Sequence, residues 1–302
     1  YSTAVDSTGV VYVADAIAHV IRRIGTDGIV TTFAGLPGSF GIDDGTGDGA
    51  RFYAPSGVAV DRAGNLYVAD TLNSTVRKIT PARVVTTLAG TGRTRGSADG
   101  TGAAARFDQP YGIAVDDNGN VYVSDSSSNT IRKITSAGVV TTLAGRAGTN
   151  GSTDGAGTDA RFLVPYAVSV DGSGNVFVAD HGNHTIRKIT SSGVVSTLAG
   201  SAGNAGSSDG RGANARFRYP SGVAVGRDGT VYVADTDNQV IKSITADGDV
   251  ATIGGSNGGT GSTDGSSTTA RFLNPKGLAV SSDGKLYIAD LGNRTIRLGV
   301  AQ

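Results

Sequence analysis

The sequence predicts an all-β chain of 302 residues built from six copies of one repeat. A Gly-Val-Ala-Val run at Gly57 recurs, with small changes, at constant steps of 55 residues, and one step back from Gly57 leads to Ser2. The later runs begin at Gly112, Ala167, Gly222 and Gly277. A fixed period of this length indicates a repeat architecture. Abundant Gly, Thr, Ser, Asn and Asp, with no glutamate, favour strands and turns over helices.

Each repeat contains four strand signals bounded by turn residues, here called a to d: GVAVD, NLYVAD, TVRKI and VVTTLAG. The Asp-x-x-Gly-Asn turn between a and b supplies the positive φ of a tight hairpin. Strands a and b are nearly continuous apolar runs, which is typical of sheets covered on both faces. Small residues such as Gly57, Ala59 and Ala69 fit where sheets crowd toward an axis. Six four-stranded sheets around an axis form a β-propeller, which hides its sheet edges by radial repetition.

The repeat predicts one domain over residues 1–302, with linkers of about 20 residues between the blades. The predicted blades cover residues 1–35, 56–90, 111–145, 166–200, 221–255 and 276–302. The last copy ends in TIRLGVAQ and has no strand d. We therefore expect a sixth blade of three strands, or an outer strand supplied by residues upstream of Tyr1 or by another chain. An unpaired edge favours pairing, so self-association through this blade is an open alternative.

The consensus G-[VIL]-A-V-D-x-x-G-N-[LV]-Y-V-A-D-x-x-N-x-x-[IV]-R resembles the NHL repeat, and the resemblance covers essentially the whole chain. It implies a six-bladed NHL propeller. Two copies depart from the consensus, with Ala18 in the first and Ser128 in the third. The other four copies have asparagine at this position: Asn73, Asn183, Asn238 and Asn293.

The resemblance to six-bladed propellers also implies possible metal-dependent enzyme and RNA-binding functions. Peptidyl-glycine lyases hold zinc with histidines from different blades, and gluconolactonase-like propellers use a glutamate among their metal ligands. This chain has no glutamate. RNA-binding NHL domains use a basic top surface, whereas here only Arg93 and Arg95 stand out on a chain of zero net charge. We therefore predict no nucleic-acid partner, and no membrane insertion, because no apolar run approaches the ~20 residues of a membrane helix.

The linkers follow the pattern AGxxGxxGxxDGxGxxARFxxP. Loops of this length are often functional. We expect a folded lid with a short turn or helix at GxxARF, capped by an aspartate. The capping candidates are Asp99, Asp154, Asp209 and Asp264.

Charged residues recur once per repeat. One set ends strand b: Asp15, Asp70, Asp125, Asp180, Asp235 and Asp290. The other lies in the linkers: Arg51, Arg106, Arg161, Arg216 and Arg271. Because buried charges need partners, a structural Asp–Arg ladder between these sets is favoured over a metal-binding ring.

Cofactor and nucleophile motifs are weak. The Asp-Gly-x-Gly loops only faintly resemble calcium loops, since an EF-hand ends in a glutamate. The chain has no cysteine and no Gly-x-Ser-x-Gly elbow, which argues against thiol and serine nucleophiles. His19 and His184 occupy the same repeat position, and His181 and His184 form at most half of a zinc site. We expect surface-loop histidines and no cofactor, with calcium or zinc as the alternatives.

The position after the repeated proline varies between copies, and it should lie where the linker enters the innermost strand, near the channel mouth. Its residues are Ser56, Tyr111, Tyr166, Ser221 and Lys276. Tyrosines and a lysine there could stack on a sugar or contact a peptide. Ordinary packing between blades is the alternative. The predicted binding rim consists of these five residues together with His181, His184, Arg93 and Arg95.

The residues thus predict a non-enzymatic binding or interaction module that recognises a glycan, peptide or protein through its linker-bearing face. One alternative is a metal-dependent hydrolase or lyase with a site in the central channel. Another is a structural repeat segment of a larger surface protein. Tyr1 lies inside a repeat, so we expect a trimmed, mature segment from an extracellular or periplasmic protein.

Overall fold

The structure is a computed structural model that describes residues 1–300, and it contains six separate antiparallel sheets, one per repeat. We number these sheets as blades 1 to 6 in chain order. The innermost strands contact one another in a closed ring, and the strand of blade 6 contacts that of blade 1. The predicted all-β, six-bladed propeller is therefore confirmed. No helix among the described residues is long and apolar enough to span a membrane.

The strands of each blade follow the predicted a-to-d order from the axis outward. The innermost strands are β1 (Ser2–Val5), β6 (Pro55–Val60), β11 (Pro110–Val115), β16 (Pro165–Val170), β21 (Pro220–Val225) and β25 (Pro275–Val280). The second strands are β2 (Val11–Asp15), β7 (Leu66–Asp70), β12 (Val121–Asp125), β17 (Val176–Asp180), β22 (Val231–Asp235) and β26 (Lys285–Asp290). The third strands are β3 (Val20–Ile24), β8 (Thr75–Ile79), β13 (Thr130–Ile134), β18 (Thr185–Ile189), β23 (Val240–Ile244) and β27 (Thr295–Val300). The fourth strands are β4 (Val30–Ala34), β9 (Val84–Ala89), β14 (Val139–Gly145), β19 (Val194–Gly200) and β24 (Asp249–Gly255).

Short 3-10 helices complete the repeat. Those in the linkers are Gly47–Gly49, Gly102–Ala104, Gly157–Asp159 and Gly212–Asn214. Those between the second and third strands are Thr71–Asn73, His181–Asn183, Thr236–Asn238 and Leu291–Asn293. Blade 6 has three strands, β25, β26 and β27, as the sequence predicts.

Close packing at the axis explains the small residue in the innermost strand. A Cβ on Gly57 would lie 2.4 Å from the carbonyl oxygen of Tyr111 in the next blade. At Gly222 the corresponding distance to the Lys276 carbonyl oxygen is 1.9 Å. Side chains cannot approach a backbone oxygen so closely. The position therefore requires glycine, unless the two blades lie further apart there. Blade 4 has Ala167 at this position.

The core lies between blades, which is why strands a and b read as unbroken apolar runs. Strand β17 is buried along its whole length, from Val176 to Asp180. One face of this strand packs against blade 3. The linker residue Phe162 lies in this layer with Val178 and Ile189, and all three side chains are fully buried. The layers between blades 1 and 2, 2 and 3, 4 and 5, and 5 and 6 repeat this arrangement, so both faces of the inner strands in blades 2 to 5 are covered.

The linkers differ from the predicted lid. In four of them two residues form a fifth strand against the outer strand of the following blade: β5 (Gly45–Thr46), β10 (Gly100–Thr101), β15 (Gly155–Ala156) and β20 (Gly210–Arg211). Gly155, for example, pairs with Val195 of β19. The linker thus wraps the outer edge of a blade and covers backbone groups that would otherwise be free to pair with another chain. The predicted short helix at GxxARF is present, but its N-cap in the third linker is Ala156, not Asp154.

Candidate functional site

A buried ion-pair clamp accounts for the repeated aspartates. In blade 4, Arg187 Nη1 lies 2.9 Å from Asp180 Oδ2, and Arg187 Nη2 lies 2.6 Å from Asp154 Oδ1 of the linker. Arg187 and Asp180 are fully buried. Asp154 also accepts hydrogen bonds from the backbone and hydroxyl of Thr197 in β19, at 3.0 and 3.1 Å. The clamp therefore ties the second, third and outer strands of a blade to the linker that precedes it.

The predicted ladder was right about buried Asp–Arg pairing and wrong about the arginine. Arg161 of the linker donates to the carbonyl oxygens of Thr158 and Ala160, and its own carbonyl accepts from Arg187 at 2.9 Å. The strand register explains the true partner: Asp180 pairs with Thr185, and Arg187 stands two residues further along on the same face of β18.

The clamp recurs with variations. Blades 2, 3 and 6 use Arg77, Arg132 and Arg297 in the same way. In blade 5 a fully buried lysine, Lys242, pairs with Asp209 at 2.7 Å, but it makes no ion pair with Asp235. Asp235 keeps only neutral donors, the Arg218 backbone amide and Asn238, each at 2.7 Å. Burial raises the pKa of Asp235 to about 7.

A second group of residues converges at one mouth of the channel. We call Tyr1, Tyr111, Tyr166, His181, Tyr219 and Lys276 the mouth cluster. Tyr111 and Tyr166 stack with ring centroids 4.3 Å apart, and His181 stacks on the other side of Tyr166 at 4.0 Å. Tyr219 follows, tilted, 5.0 Å from His181. Neighbouring rings therefore cover the faces of Tyr166. Of the rings in the mouth cluster, only that of Tyr219 is exposed, at 40%.

Lys276 closes this group from the opposite side. Its ammonium lies 5.4 Å from the ring centroid of Tyr1 and 5.7 Å from that of Tyr166, two blades away. Such placement over aromatic rings is favourable for a cation. Burial lowers the pKa of Lys276. Tyr166 and Lys276 thus contact each other at the mouth. The sequence predicted only that both lie around its rim.

The two serines of the predicted rim are buried behind the mouth cluster and bond to its residues. Ser56 is buried, and its hydroxyl donates to the carbonyl oxygen of Tyr111 at 2.9 Å. Ser221 is also buried; its hydroxyl donates to the Tyr219 carbonyl oxygen at 3.2 Å and lies 3.3 Å from His181 Nδ1. Both serines serve the packing of the mouth cluster.

The histidines are not surface-loop residues, contrary to expectation. His184 is buried, and its Nδ1 accepts a hydrogen bond from the Tyr219 amide at 3.2 Å. His19 anchors the linker of blade 1 in the same way, accepting from the Ala54 amide at 3.1 Å. His181 is half-buried and donates from Nδ1 to the Pro220 carbonyl oxygen, 3.2 Å away. Burial lowers its pKa to about 4, so its ring is neutral at pH 7.

Arg93 and Arg95 lie outside the mouth cluster. The guanidinium of Arg93 lies over Tyr53 at 6.0 Å, and Arg95 Nε lies 3.6 Å from Asp108 Oδ1. Tyr53 in turn stacks on Phe40 of the first linker at 4.6 Å. Both arginines therefore stand in the second linker, where Arg93 contacts the first linker and Arg95 pairs within its own.

Two cavities meet at the mouth. The central cavity, of about 250 Å³, is walled mainly by aliphatic side chains of the innermost strands, such as Val58, Ile113 and Leu278. A second cavity of about 440 Å³ opens beside it and is lined by Tyr166, His181, Tyr219, Ser221, Thr236, Asp237, Asn274, Lys276 and Leu291. We call it the outer cavity. Ser221 and Lys276 line both, so they stand on the boundary between the two.

Five residues that line the outer cavity were not part of the predicted rim: Tyr219, Thr236, Asp237, Asn274 and Leu291. Their positions vary between copies, and that variation is the signal that could have found them. Tyr219, for example, stands where other copies have Ala54, Gln109 or Val164. No group of three or more His, Cys, Asp or Glu that could hold a metal ion occurs within residues 1–300.

Three segments of the chain match known family models. The family model described as NHL repeat matches residues 52–79 and 217–242, and the Teneurin NHL domain model matches residues 92–155. The chain belongs to the NHL-repeat family.

Among relatives of this NHL propeller, SUPPRESSOR OF QUENCHING 1, chloroplastic, of Arabidopsis thaliana is 30% identical over 283 residues. That match covers 87% of the chain and 26% of the relative. NHL repeat-containing protein 2 of Gallus gallus is 30% identical over 323 residues, with 95% and 44% covered. The chain thus spans less than half the length of these relatives.

Solved structures share the fold. An auxiliary nutrient binding protein from Bacteroides thetaiotaomicron gives a TM-score of 0.71 at 17% identity, covering 99% of this chain and 68% of that one. Virginiamycin B lyase from Staphylococcus aureus gives 0.60 at 17% identity, covering 100% and 84%. At these identities the likeness concerns the propeller fold, which hosts both binding proteins and enzymes.

Proposed function

We propose that this NHL propeller is a non-enzymatic binding module that takes a glycan, peptide or protein ligand at the outer cavity on its linker-bearing face. The observation that carries the proposal is that an exposed aromatic ring, Tyr219, and a half-buried ammonium, Lys276, line the same open cavity. Concave sites with one apolar platform and a few convergent polar groups are typical of ligand recognition.

The variation between blades supports this choice of surface. Lys276 is the one charged residue at a position that is otherwise serine or tyrosine, and Tyr219 and Asp237 also differ from their counterparts in neighbouring copies. Residues needed by every blade recur in every blade, so the side chains that differ are free to serve one ligand. The predicted rim residues Tyr111 and Tyr166 contribute by holding the wall of the cavity through their stacking.

A metal-dependent hydrolase or lyase receives less support. Such a reaction needs at least three protein ligands for the metal near a substrate pocket. The central cavity is walled mainly by aliphatic side chains, and the acids of the clamps already pair with arginine or lysine. No observation at the channel favours this alternative.

We further propose an extracellular or periplasmic location for the domain. The chain contains neither cysteine nor methionine, the two side chains that oxidants attack most readily. Fractionation of cells that express the natural full-length gene, followed by immunodetection of the propeller, tests this. Detection in the cytoplasmic fraction alone would overturn it.

Screening on glycan and peptide arrays tests the binding function. The wild-type chain is compared with a Tyr219→Ala/Lys276→Gln variant. The matched control is Arg62→Gln/Lys285→Gln, which removes two charges from strand a–b turns at the other end of the blades. We expect ligands that the wild type and the control retain and the outer-cavity variant loses. Ligands bound equally by all three proteins would place recognition elsewhere and contradict the proposal.

A second candidate, self-association, is favoured by two open sheet edges. Within the described residues, neither β4 of blade 1 nor β27 of blade 6 carries a further paired strand. Large apolar side chains are exposed beside both edges: Ile29 at 60%, Val30 at 58% and Leu298 at 59%. Asp264 of the sixth clamp is 92% exposed, whereas its counterparts in blades 2 to 5 are 44–50% exposed under their outer strands. We propose that β27 pairs with β4 of a second copy.

Sedimentation velocity over a concentration series tests this second candidate. Leu298→Lys and Val30→Lys place charges at the two edges, which natural proteins use to prevent edge pairing. We expect concentration-dependent dimers of the wild type that either variant abolishes, while Val139→Lys on a covered outer strand leaves the dimer intact. A monomeric wild type would rule this candidate out.

A further inference from the structure

The ammonium of Lys276 lacks an anion. No carboxylate oxygen of residues 1–300 lies within 4.0 Å of its Nζ, and no hydrogen-bond acceptor for it is found among them. Asp237 lines the same cavity but lies next to Arg218, with 3.9 Å between Asp237 Oδ2 and Arg218 Nε. Other buried cations of the chain, such as Arg187 and Lys242, pair with aspartate. A partly desolvated cation without a partner is costly, so an anionic ligand group is the natural complement.

The other polar groups of the outer cavity are suited to bind hydroxyl groups of a ligand rather than a second negative charge. Because His181 Nδ1 donates to a backbone carbonyl and the ring is neutral, His181 Nε2 is left as an acceptor. Asn274 uses its Oδ1 only for a long contact of 3.5 Å with Gln239 Nε2. Asp237, 43% exposed, offers carboxylate oxygens as acceptors. A planar amide, a carboxylate and a ring nitrogen together can share the donors and acceptors of several hydroxyl groups.

The cavity also provides an apolar platform. The ring of Tyr219, which is 40% exposed, and the side chain of Leu291 both line this cavity. The volume of about 440 Å³ falls in the range of small-ligand pockets. An aromatic ring beside hydroxyl-binding groups and a single cation calls for a ligand with an apolar face, several hydroxyls and one negative charge.

We propose that the outer cavity binds an acidic sugar of the hexuronic acid class. Its carboxylate pairs with Lys276, the C–H face of its ring lies on Tyr219, and its hydroxyls bond to Asp237, Asn274 and His181. A peptide carboxylate would satisfy Lys276 but would bring no hydroxyls to Asp237. This inference deepens the binding function proposed above and depends on it.

Isothermal titration calorimetry with three probes tests the proposal on the 302-residue chain. The probes are digalacturonic acid, the neutral galactose disaccharide of the same linkage, and N-acetyl-glutamate amide as a peptide carboxylate. We expect digalacturonic acid to bind at least ten times more tightly than either other probe, with an affinity that falls as salt is raised. Lys276→Gln should reduce its affinity to that of the neutral disaccharide, whereas Lys285→Gln, which removes the same charge far from the cavity, should leave it unchanged.

The outcomes separate this inference from the binding function. Equal affinity of Lys276→Gln and wild type for digalacturonic acid, or equal binding of the peptide carboxylate, would overturn the acidic-sugar assignment. So would failure of digalacturonic acid to bind while array ligands that depend on Tyr219 remain, and the binding function would then stand. If no probe binds and no array ligand depends on Tyr219 or Lys276, both are overturned. Thermal unfolding of each variant verifies that a lost signal is not lost folding.

Discussion

The clamp of blade 4 and the mouth cluster each hold a cationic side chain in a buried or half-buried position, but only the clamp supplies carboxylates for it. In the clamp, each terminal nitrogen of Arg187 bonds to one carboxylate and one backbone carbonyl, so the charge is paired within the protein. In the mouth cluster, Lys276 contacts aromatic rings and faces an open cavity. The clamp stabilises the repeat, and the mouth cluster leaves bonding capacity for a ligand.

The same contrast appears in how the two regions vary along the chain. Four blades have an arginine and two aspartates in their clamps, and a fifth substitutes lysine. The mouth position changes from serine to tyrosine to lysine. In a repeat protein, therefore, the function of an individual chain is to be sought where copies differ and polar atoms lack partners.

The largest effect is expected from breaking the clamp. Arg187→Met leaves Asp180 buried without its ion pair, which should lower the free energy of unfolding by about 3–5 kcal/mol. Urea denaturation followed by circular dichroism measures the loss. The control Arg62→Gln breaks an exposed pair with Asp117, 80% and 55% exposed, and should cost less than about 1 kcal/mol. Equal losses in the two variants would mean that the clamp does not stabilise the repeat.

Overpacking the axis should come next. Gly222→Ala would place a methyl group 1.9 Å from the Lys276 carbonyl oxygen, so innermost strands of blades 5 and 6 must separate at a cost of about 3 kcal/mol. Gly172→Ala is the matched control, since no atom lies within 4 Å of its added Cβ. Thermal melts of both variants check this. A melting temperature of Gly222→Ala equal to that of the control would contradict the close approach and, with it, the position of Lys276 at the mouth.

The clamp of blade 5 predicts a loss of about 2.5 kcal/mol in the free energy of unfolding between about pH 5 and pH 7.5. The folded-state pKa of Asp235, about 7, lies above the 3.8 expected when the chain is unfolded. In that window the folded chain binds a proton that the unfolded chain does not, so this residue's contribution to stability falls as pH rises from about 4 to 7. Asp235→Asn should remove that component. Lys242→Arg should add the ion pair found in other blades and lower the pKa of Asp235.

Urea midpoints of wild type, Asp235→Asn and Lys242→Arg at about pH 5 and pH 7.5 measure this component. Asp237, Lys242 and the backbone amide of Arg218 face Asp235 and are unchanged in the asparagine variant. The same pH slope in wild type and Asp235→Asn would show that Asp235 does not carry the effect.

The smallest stability effect is expected at the mouth cluster. Lys276→Gln removes both the desolvation cost of an unpaired ammonium and its contacts with Tyr1 and Tyr166. These two terms oppose each other, so the free energy of unfolding should change by less than about 0.5 kcal/mol. Urea denaturation of Lys276→Gln and Arg187→Met under the same conditions compares the two losses in the free energy of unfolding. A loss above about 2 kcal/mol would assign Lys276 to the structural framework rather than to a ligand.

Much of the propeller could be predicted from the chain alone. The 55-residue period, the Asp-x-x-Gly-Asn turns and the apolar runs of strands a and b gave six blades, the strand order and a three-stranded sixth blade. These features depend on local backbone preferences and on the burial of both sheet faces, which the sequence pattern records. The rim residues Tyr111, Tyr166 and Lys276 were also placed correctly at the channel mouth, since their repeat position follows from the strand order.

Only the tertiary structure decided which side chains meet. Arg187 rather than Arg161 pairs with Asp180 because the register of β17 and β18 sets the partner, and both arginines recur once per repeat. Lys276 contacts Tyr166 two blades away because the channel mouth is narrow enough for side chains of blades 4 and 6 to meet. Period and composition determine what each blade is made of. The distances between blades, which no single repeat contains, decide which groups are paired and which remain open to a ligand.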